Sequence, residues 1–220
     1  MAQPRIKICC ISSLQEAQMA IACGADALGL VGAMPSGPGI ISDELIQQIA
    51  KKTPPPIATF LLTSQTKAAN IIAHYKKAQT TTIQIVDELT DNAYHQIRKA
   101  LPHVKLVQVI HVIDDDSVQQ AINVSQHVDA ILLDSGNPNL KVKELGGTGR
   151  THNWDLSKKI RQQIAVPLFL AGGITPQNIK QAYEHVKPFG IDLCSSVRTD
   201  GKLDKDKLIM LFEAIKEGPM

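Results

Sequence analysis

The sequence predicts a single-domain α/β protein, a (β/α)₈ barrel, and three observations support this fold class. Eight short apolar runs, typical of buried parallel strands, alternate with amphipathic segments of helical period. The 220 residues suit one such barrel, and the 44% hydrophobic content supplies a large core. Residues 167–198 read as strand, glycine pair, helix and strand, a unit with which parallel barrels hold phosphate. We therefore expect one barrel domain over residues 1–220.

The predicted strands are short apolar runs bounded by polar or turn-forming residues. In chain order they are Arg5–Cys9, Ala27–Val31, Ile57–Leu62, Thr81–Val86, Val104–Ile110, Ala130–Leu133, Leu168–Ala171 and Ile191–Leu193. The predicted helices lie near residues 13–23, 43–51, 66–76, 91–100, 115–126, 155–164, 176–186 and 204–216. This alternation implies parallel strands joined by right-handed crossovers. An open sheet with helices on both faces is the alternative to a closed barrel.

Three of the helix starts carry explicit capping signals. Ser13-Leu-Gln-Glu16 is a capping-box pattern before the first helix, and Ser42 precedes the second. Thr175 and Pro176 predict the start of the seventh helix, since Thr is a good N-cap and Pro suits the first helical position. The amide groups of that first turn would face an anion bound beyond the glycine pair.

The charge balance excludes two classes of partner. The chain has 23 basic and 21 acidic residues, a formal charge of +2, too small for a nucleic-acid or anionic-membrane footprint. We see neither a leader peptide nor an apolar run near the ~20 residues that cross a bilayer, so we expect a soluble cytoplasmic protein. The four cysteines show neither a disulfide-dense pattern nor metal-ligand spacing, which favours reduced thiols.

Two side chains at strand ends are candidates for acid–base chemistry. Cys9 ends the first strand, and the two-residue period of a strand places Lys7 and Cys9 on one face and Ile8 and Cys10 on the other. A cation such as Lys7 lowers the pKa of a neighbouring thiol, so that more of it is present at neutral pH as the thiolate, which is the form that can accept a proton. Asp134 ends the sixth strand, and a half-buried carboxyl retains its proton to higher pH. The alternatives are a small buried thiol and an aspartate that caps a turn.

Glycines and serines after later strands form the candidate phosphate site. Gly172 and Gly173 allow the backbone to approach a ligand closely, and Ser195 and Ser196 offer hydroxyl groups beside it. An ordinary βαβ turn is the alternative. Gly146-Gly147-Thr148-Gly149 in the long sixth loop lacks the Lys-Ser/Thr tail of a nucleotide-binding P-loop, so nucleotide hydrolysis is not supported.

Other reactive or aromatic side chains receive smaller roles. His111 follows the fifth strand and is given a supporting role at most. Trp154 is expected to anchor the helix that follows the sixth loop. Cys10 and Cys23 are interpreted as small buried apolar residues.

Six short fragments at strand ends carry a resemblance that covers nearly the whole chain. They are Lys7-Ile-Cys-Cys-Ile-Ser12, Gly24-Ala-Asp-Ala-Leu-Gly29, Leu132-Leu-Asp134, Gly146-Gly-Thr-Gly149, Leu170-Ala-Gly-Gly173 and Asp192-Leu-Cys-Ser-Ser196. In this order they resemble the phosphoribosylanthranilate isomerase family of the tryptophan pathway. The resemblance implies a (β/α)₈ barrel that catalyses an Amadori rearrangement of a phosphoribosyl aminoaldose, with no metal and no organic cofactor.

The resemblance also implies roles for individual residues. Cys9 corresponds to the general base of the family and Asp134 to its general acid. The substrate and phosphate group comprises Lys7, Gly147, Thr148, Gly149, Gly172, Gly173, Ser195 and Ser196. The implied partner is a small phosphorylated substrate, without nucleic acid or membrane, and we expect a monomer or homodimer.

The substrate-facing loops depart from the family pattern. The second loop of the family carries an arginine that holds the anthranilate part, and this chain has Gly39 there, in Gly37-Pro38-Gly39. Arg150, His152 and Arg198 are the candidates to replace it. Two alternatives follow: a paralogous isomerase for another phosphorylated amino sugar, and a sugar-phosphate-binding barrel without catalysis.

Overall fold

The computed structural model describes residues 3–136, 149 and 151–216. Within them, eight parallel strands pair in chain order and the eighth closes on the first, so the predicted barrel is confirmed and the open-sheet alternative is wrong. The strands are β1 (Arg5–Ile8), β2 (Ala27–Val31), β3 (Ala58–Thr63), β4 (Thr82–Ile85), β5 (Lys105–His111), β6 (Ala130–Asp134), β7 (Leu168–Leu170) and β8 (Gly190–Leu193).

A helix follows each strand and packs outside the barrel. The helices are α1 (Leu14–Cys23), α2 (Asp43–Lys52), α3 (Ala68–Ala78), α4 (Asp91–Ala100), α5 (Asp116–Ser125), α6 (Trp154–Gln163), α7 (Ile179–Val186) and α8 (Lys205–Lys216). A 3₁₀ turn (Ser195–Val197) and a small hairpin of β9 (Arg198–Thr199) and β10 (Lys202–Leu203) precede α8, and the sequence did not predict them. No helix among the described residues has the length and apolarity needed to cross a bilayer.

The core forms two layers because successive strand side chains point to opposite faces. Outward-facing side chains such as Ile83 and Leu133 pack against the helices and are fully buried. Inward-facing side chains fill the barrel, where the rings of Phe60 and Phe169 meet edge to face with centroids 6.0 Å apart. A filled barrel leaves ligand binding to the loops at the strand ends.

The first two helices begin as their capping signals predict. The Ser13 hydroxyl accepts a hydrogen bond from the backbone N–H of Glu16 at 3.1 Å. The Ser42 hydroxyl accepts one from the N–H of Leu45 at 3.3 Å. Both serines therefore satisfy an amide that the first turn of a helix leaves free.

The predicted start of the seventh helix is wrong. α7 begins at Ile179, and the chain from Pro176 to Asn178 forms a turn instead. The Asn178 side chain accepts a hydrogen bond from the N–H of Thr175 at 2.8 Å and donates one to the carbonyl of Gly173 at 2.9 Å. The Asn178 side chain therefore satisfies the N–H of Thr175, which would have no partner at the start of a helix, and it fixes the loop after β7.

Candidate functional site

An open cleft lies at the carboxyl-terminal ends of the barrel strands. It is partly open to solvent and is lined by both polar and apolar side chains, as small-molecule sites usually are. The cleft brings together most of the described residues of the predicted site, namely Cys9, Asp134, Gly149, Gly172, Gly173, Ser195 and Ser196. Gly147 and Thr148 lie outside the described residues.

Cys9 and Cys10 both line this cleft, which corrects the alternation expected from the sequence. β1 ends at Ile8, and Cys10 has a φ of 61°, in the left-handed region. Because the extended conformation stops before Cys9, the two-residue period no longer separates the two thiols. Cys10, expected to be an ordinary core residue, is therefore also part of the cleft wall.

A buried guanidinium holds the turn that carries these thiols. Arg198 donates hydrogen bonds to the carbonyl oxygens of Cys9 at 3.0 Å and Cys10 at 2.5 Å. Its Nη1 also lies 3.2 Å from Oε1 of Glu16, and both side chains are nearly enclosed. Arg198 is not among the residues that line the cleft, so it does not replace the arginine missing from the second loop.

Lys7 lies beneath the residues that line the cleft and is not among them, so its contact with substrate or phosphate stays a prediction. Its side chain is 0% exposed, and its Nζ lies 2.8 Å from Oδ2 of Asp192. Burial alone would lower the pKa of Lys7, but the Asp192 carboxylate raises it overall, which preserves the ammonium. A fully enclosed ammonium acts on the cleft through its neighbours.

Gly29 on β2 makes room for both Lys7 and Cys9. A methyl group at Gly29 would lie 2.7 Å from the Cys9 sulfur and 3.0 Å from the Lys7 Nζ. Since both atoms approach the same point, the thiol has a cation as a near neighbour. The predicted proximity of Lys7 and Cys9 is confirmed, and it depends on the absence of a side chain at Gly29.

Asp134 stands at the end of β6 and is only 9% exposed. Burial raises the pKa of Asp134, and this effect outweighs the Ser135 N–H, which donates to its Oδ1 at 2.7 Å and acts in the opposite direction. The carboxyl therefore keeps its proton to higher pH than a free aspartate does. Asp134 both caps its own turn and faces the cleft, so the two interpretations of this residue are compatible.

Three buried polar atoms in the cleft lack a hydrogen-bond partner among the described residues. They are Oε1 of Gln84, Oδ1 of Asp192 and Oγ of Ser196, and all three residues line the cleft. Buried polar atoms in folded proteins are nearly always paired. These three atoms are therefore available to hydrogen-bond to water or to a ligand in the cleft.

Asp192 and Gln84 were not predicted as site residues. Both lie within strands, where a single sequence does not show which side chains point inward. In the structure Asp192 on β8 is the register partner of Lys7 on β1. The available signal was an acidic residue in β8 and two basic residues, Arg5 and Lys7, in β1, and it does not show which of the two is paired.

The loops after β7 and β8 lie next to each other at one end of the cleft. Gly172 and Gly173 have φ values of 79° and 63°, which glycine adopts without strain. A methyl group at Gly172 would lie 2.9 Å from the Ser135 hydroxyl, so close packing excludes a side chain there. Gly149 reaches the same region from the sixth loop, where a methyl group would lie 3.5 Å from the Ser195 hydroxyl.

The second loop excludes an arginine at position 39. Gly39 has a φ of 77°, and a Cβ atom there would lie 2.5 Å from Cβ and 2.9 Å from Cα of Cys10. A side chain would therefore meet both backbone strain and a rigid neighbour. In the part of the chain that the structure describes, no Lys or Arg lines the cleft.

Of the other two candidates to replace that arginine, His152 is described and does not line the cleft. His152 Nε2 is 2.7 Å from the Ser157 hydroxyl, and burial lowers the pKa of His152 to about 4, so the ring is neutral. Arg150 lies outside the described residues. Trp154 begins α6 and packs against the outer core layer, as its predicted anchoring role requires.

His111 lies beside the cleft and is not part of its lining. Its Nε2 donates to the carbonyl oxygen of Val86 at 3.2 Å, and its strand register pairs it with Asp134. A histidine held in this way supports the neighbouring strand ends.

Comparison with known proteins gives a consistent family. A family model described as N-(5'phosphoribosyl)anthranilate (PRA) isomerase matches residues 6–214. A relative from Methanosarcina mazei, N-(5'-phosphoribosyl)anthranilate isomerase 2, is 34% identical and aligns over 96% of this chain and 94% of its own. An N-(5'-phosphoribosyl)anthranilate isomerase from Crocosphaera subtropica is 33% identical and aligns over 97% of this chain and 99% of its own.

Solved structures agree with the sequence relatives. Phosphoribosyl anthranilate isomerase from Thermotoga maritima superposes with a TM-score of 0.83 at 28% identity, covering 97% of this chain and 98% of that one. A phosphoribosyl anthranilate isomerase in complex with reduced 1-(o-carboxyphenylamino)-1-deoxyribulose 5-phosphate gives a TM-score of 0.80 at 25% identity, with coverage of 97% and 98%.

Proposed function

The chain belongs to the N-(5'-phosphoribosyl)anthranilate isomerase family, and we propose that it converts N-(5-phosphoribosyl)anthranilate into 1-(2-carboxyphenylamino)-1-deoxyribulose 5-phosphate in tryptophan biosynthesis. The observation that carries this proposal is that Cys9 and Asp134, from opposite parts of the barrel, line one cleft with the loops after β7 and β8. The rearrangement needs a general base, a general acid and groups that bind the phosphate. The cleft offers Cys9, Asp134 and the loops after β7 and β8 for these three roles.

In the proposed mechanism Asp134 donates a proton to the furanose ring oxygen. The bond between C1 and that oxygen then breaks, and a Schiff-base cation forms between C1 and the anthranilate nitrogen. Cys9 removes the proton on C2, and the electron pair of that bond neutralises the cation as an enolamine. Tautomerisation gives the ketose. The raised pKa of Asp134 supports the acid role, and acid–base groups of this kind contribute ~10²–10⁴-fold each.

The 5-phosphate of the substrate is assigned to the loops after β7 and β8. Gly172 and Gly173 bring backbone to the cleft without a side chain, and the Ser196 hydroxyl has no partner among the residues described. That hydroxyl is placed to donate to a phosphate oxygen. The unpaired oxygens of Asp192 and Gln84 are acceptors for the sugar hydroxyl groups, which are donors.

A steady-state assay of the purified full-length protein tests the function. Freshly made phosphoribosylanthranilate is added, the loss of its fluorescence is followed, and the product is verified by mass. We expect saturable turnover that rises in proportion to enzyme concentration. A protein with native circular dichroism and no turnover would contradict the proposal.

A second candidate function follows from Gly39. Its contact with Cys10 excludes an arginine, and the described cleft offers no other cation for the anthranilate carboxylate. The same chemistry on a phosphorylated amino sugar without that carboxylate is therefore the competing proposal. A kcat/KM for such an analogue that exceeds the value for phosphoribosylanthranilate would favour it.

The organisation of the chain is proposed with the function. We assign the barrel to one domain over residues 1–220, acting in the cytoplasm as a monomer or homodimer. One protease-resistant core in limited proteolysis supports the first statement, and the mass from light scattering tests the oligomeric state.

A further inference from the structure

Two thiols that the proposed reaction does not use meet at the cleft wall. The sulfur atoms of Cys10 and Cys194 lie 2.8 Å apart, although the residues are 184 positions apart in sequence. Cys10 follows β1 and Cys194 follows β8, and these two strands pair where the barrel closes. Both residues line the cleft, immediately next to Cys9 on one side and Ser195 on the other.

We propose that Cys10 and Cys194 form a reversible disulfide bond when the protein meets a peroxide, so that the pair is an oxidative modification site beside the phosphate loops. Only a small movement of the two sulfur atoms is needed to form this bond. The sulfur atoms are 2.8 Å apart, and they must approach by only about 0.8 Å to reach the ~2.05 Å of a disulfide bond.

The neighbouring thiol of Cys9 is a poorer partner for Cys10. Consecutive residues have Cα atoms only about 3.8 Å apart, which is less than the ~4.4 Å lower limit of an unstrained disulfide. Cys23 lies at the end of α1, outside the residues that line the cleft. Cys194 is therefore the favoured partner among the described cysteines.

Cys194 is also the thiol that a peroxide reaches first. It is half-buried in the open cleft, whereas Cys10 is 5% exposed. The hydrogen bond with Cys10 lowers the pKa of Cys194 against the opposing effect of burial, and the Arg198 guanidinium lowers it further. A lowered pKa increases the fraction of thiolate, which is the form that attacks peroxide.

The reaction is a two-electron oxidation in two steps. The Cys194 thiolate attacks one peroxide oxygen, the O–O bond breaks, and the displaced oxygen takes up a proton to leave as water. The Cys10 thiol then attacks the resulting sulfenic acid, an S–S bond forms, and the hydroxyl group leaves as a second water with the thiol proton. Two thiols are oxidised to one disulfide and one peroxide is reduced to two waters.

The disulfide would tie the turn that carries Cys9 to the turn that carries Ser195 and Ser196. A displacement of about 1 Å at a reacting group costs on the order of 10²-fold in rate. We therefore expect at least a tenfold loss of activity on oxidation and recovery with a dithiol reductant. The expected loss of activity rests on the proposed function, whereas the formation of the disulfide does not.

The test treats the folded full-length protein with hydrogen peroxide, followed by alkylation of the remaining thiols and peptide mass mapping. The proposal predicts a peptide pair joined through Cys10 and Cys194 in the wild type, in Cys23→Ser and in Cys9→Ser. It predicts no such pair in Cys10→Ser or Cys194→Ser. A disulfide through Cys9, or intact Cys10 and Cys194 thiols after oxidation of Cys9, would overturn it.

Activity is measured in parallel on the oxidised and reduced forms of each variant that turns over substrate. In the wild type and in Cys23→Ser, the oxidised form should be at least tenfold less active than the reduced form. Treatment with reductant should restore the activity. If Cys10→Ser lost as much activity on oxidation as the wild type, and did so irreversibly, the loss would be assigned to oxidation of Cys9. That result would overturn the inferred link between the disulfide and activity. If the wild type has no isomerase activity, the mass result still decides the disulfide, so the two failures are distinguishable.

Discussion

The Nζ atom of Lys7 lies 2.8 Å from Oδ2 of Asp192, and both side chains are enclosed within the barrel. The charge of Asp134 also acts on Asp192, so one ammonium faces two carboxyl groups. Lys7 makes its direct ion pair with Asp192. Burial raises the pKa of both carboxyls, and the direct contact with Lys7 is what distinguishes Asp192 from Asp134. We therefore assign the proton to Asp134, which is the division that the proposed mechanism requires.

Lys7→Met should be strongly destabilising. Removing one partner of a buried ion pair costs about 3–5 kcal/mol, because the other charge stays buried without compensation. Chemical unfolding at neutral pH measures this change in the free energy of unfolding. The double variant Lys7→Met/Asp192→Leu should recover most of the stability but not the activity, since Asp192 is assigned to the substrate. A cost below about 1 kcal/mol for the single variant would mean that the pair is not held as described.

Gly29→Ala should reduce both stability and activity. The added methyl group would lie 2.7 Å from the Cys9 sulfur and 3.0 Å from the Lys7 Nζ. Overpacking of this kind costs about 1–3 kcal/mol, and the displaced thiol should lower kcat/KM at least tenfold. Thermal unfolding and steady-state kinetics measure the two effects. Gly201→Ala separates backbone strain from overpacking, because its φ is 77° and a methyl group there would have no atom within 4 Å; it should lose stability with a smaller effect on kcat/KM.

The activity should fall as pH rises through the pKa of Asp134. The proposed mechanism needs the acid form, and burial raises the pKa of Asp134, so the protonated fraction persists above the range of an ordinary aspartate and is lost at higher pH. A profile of kcat/KM against pH measures this decrease. In Asp134→Glu the decrease should occur at a different pH. A profile limited only by a group that must be deprotonated would contradict the acid role.

Asp134 should also make stability depend on pH in a defined direction. A raised folded-state pKa means that the protonated form is favoured in the folded protein. Its contribution is fully present below the unfolded pKa of ~3.9 and is lost as pH rises through the folded pKa. As pH rises, the free energy of unfolding of the wild type should therefore decrease relative to that of Asp134→Asn. The opposite slope would contradict the burial of this carboxyl.

Gly39→Arg should not improve activity on phosphoribosylanthranilate, although it restores the residue type of the family. The Cβ atom would lie 2.5 Å from Cβ of Cys10 at a φ of 77°. We expect lower stability and lower kcat/KM. Pro38→Arg is the matched variant, since Pro38 is exposed at the rim of the same cleft. A stable Gly39→Arg protein with raised activity would show that the second loop can rearrange.

The barrel could be predicted from the sequence because its signals are local. Each strand is a short apolar run, and Ser13 and Ser42 cap their helices through residues three positions away. The start of α7 was mispredicted because the Asn178 side chain bonds to the N–H of Thr175 and the carbonyl of Gly173, which holds these residues in a turn before the helix. The cleft residues Cys10 and Asp192 depend on a left-handed turn and on strand register, which link distant parts of the chain and leave no periodic signal.

A comparison of kcat/KM for phosphoribosylanthranilate between Cys9→Ala and the wild type shows whether Cys9 is the general base. If Cys9 removes the C2 proton, the variant should lose about 10²–10⁴-fold in kcat/KM while it keeps native circular dichroism and thermal stability. A folded Cys9→Ala protein with kcat/KM within about twofold of the wild type would contradict the account, since a general base contributes far more than that.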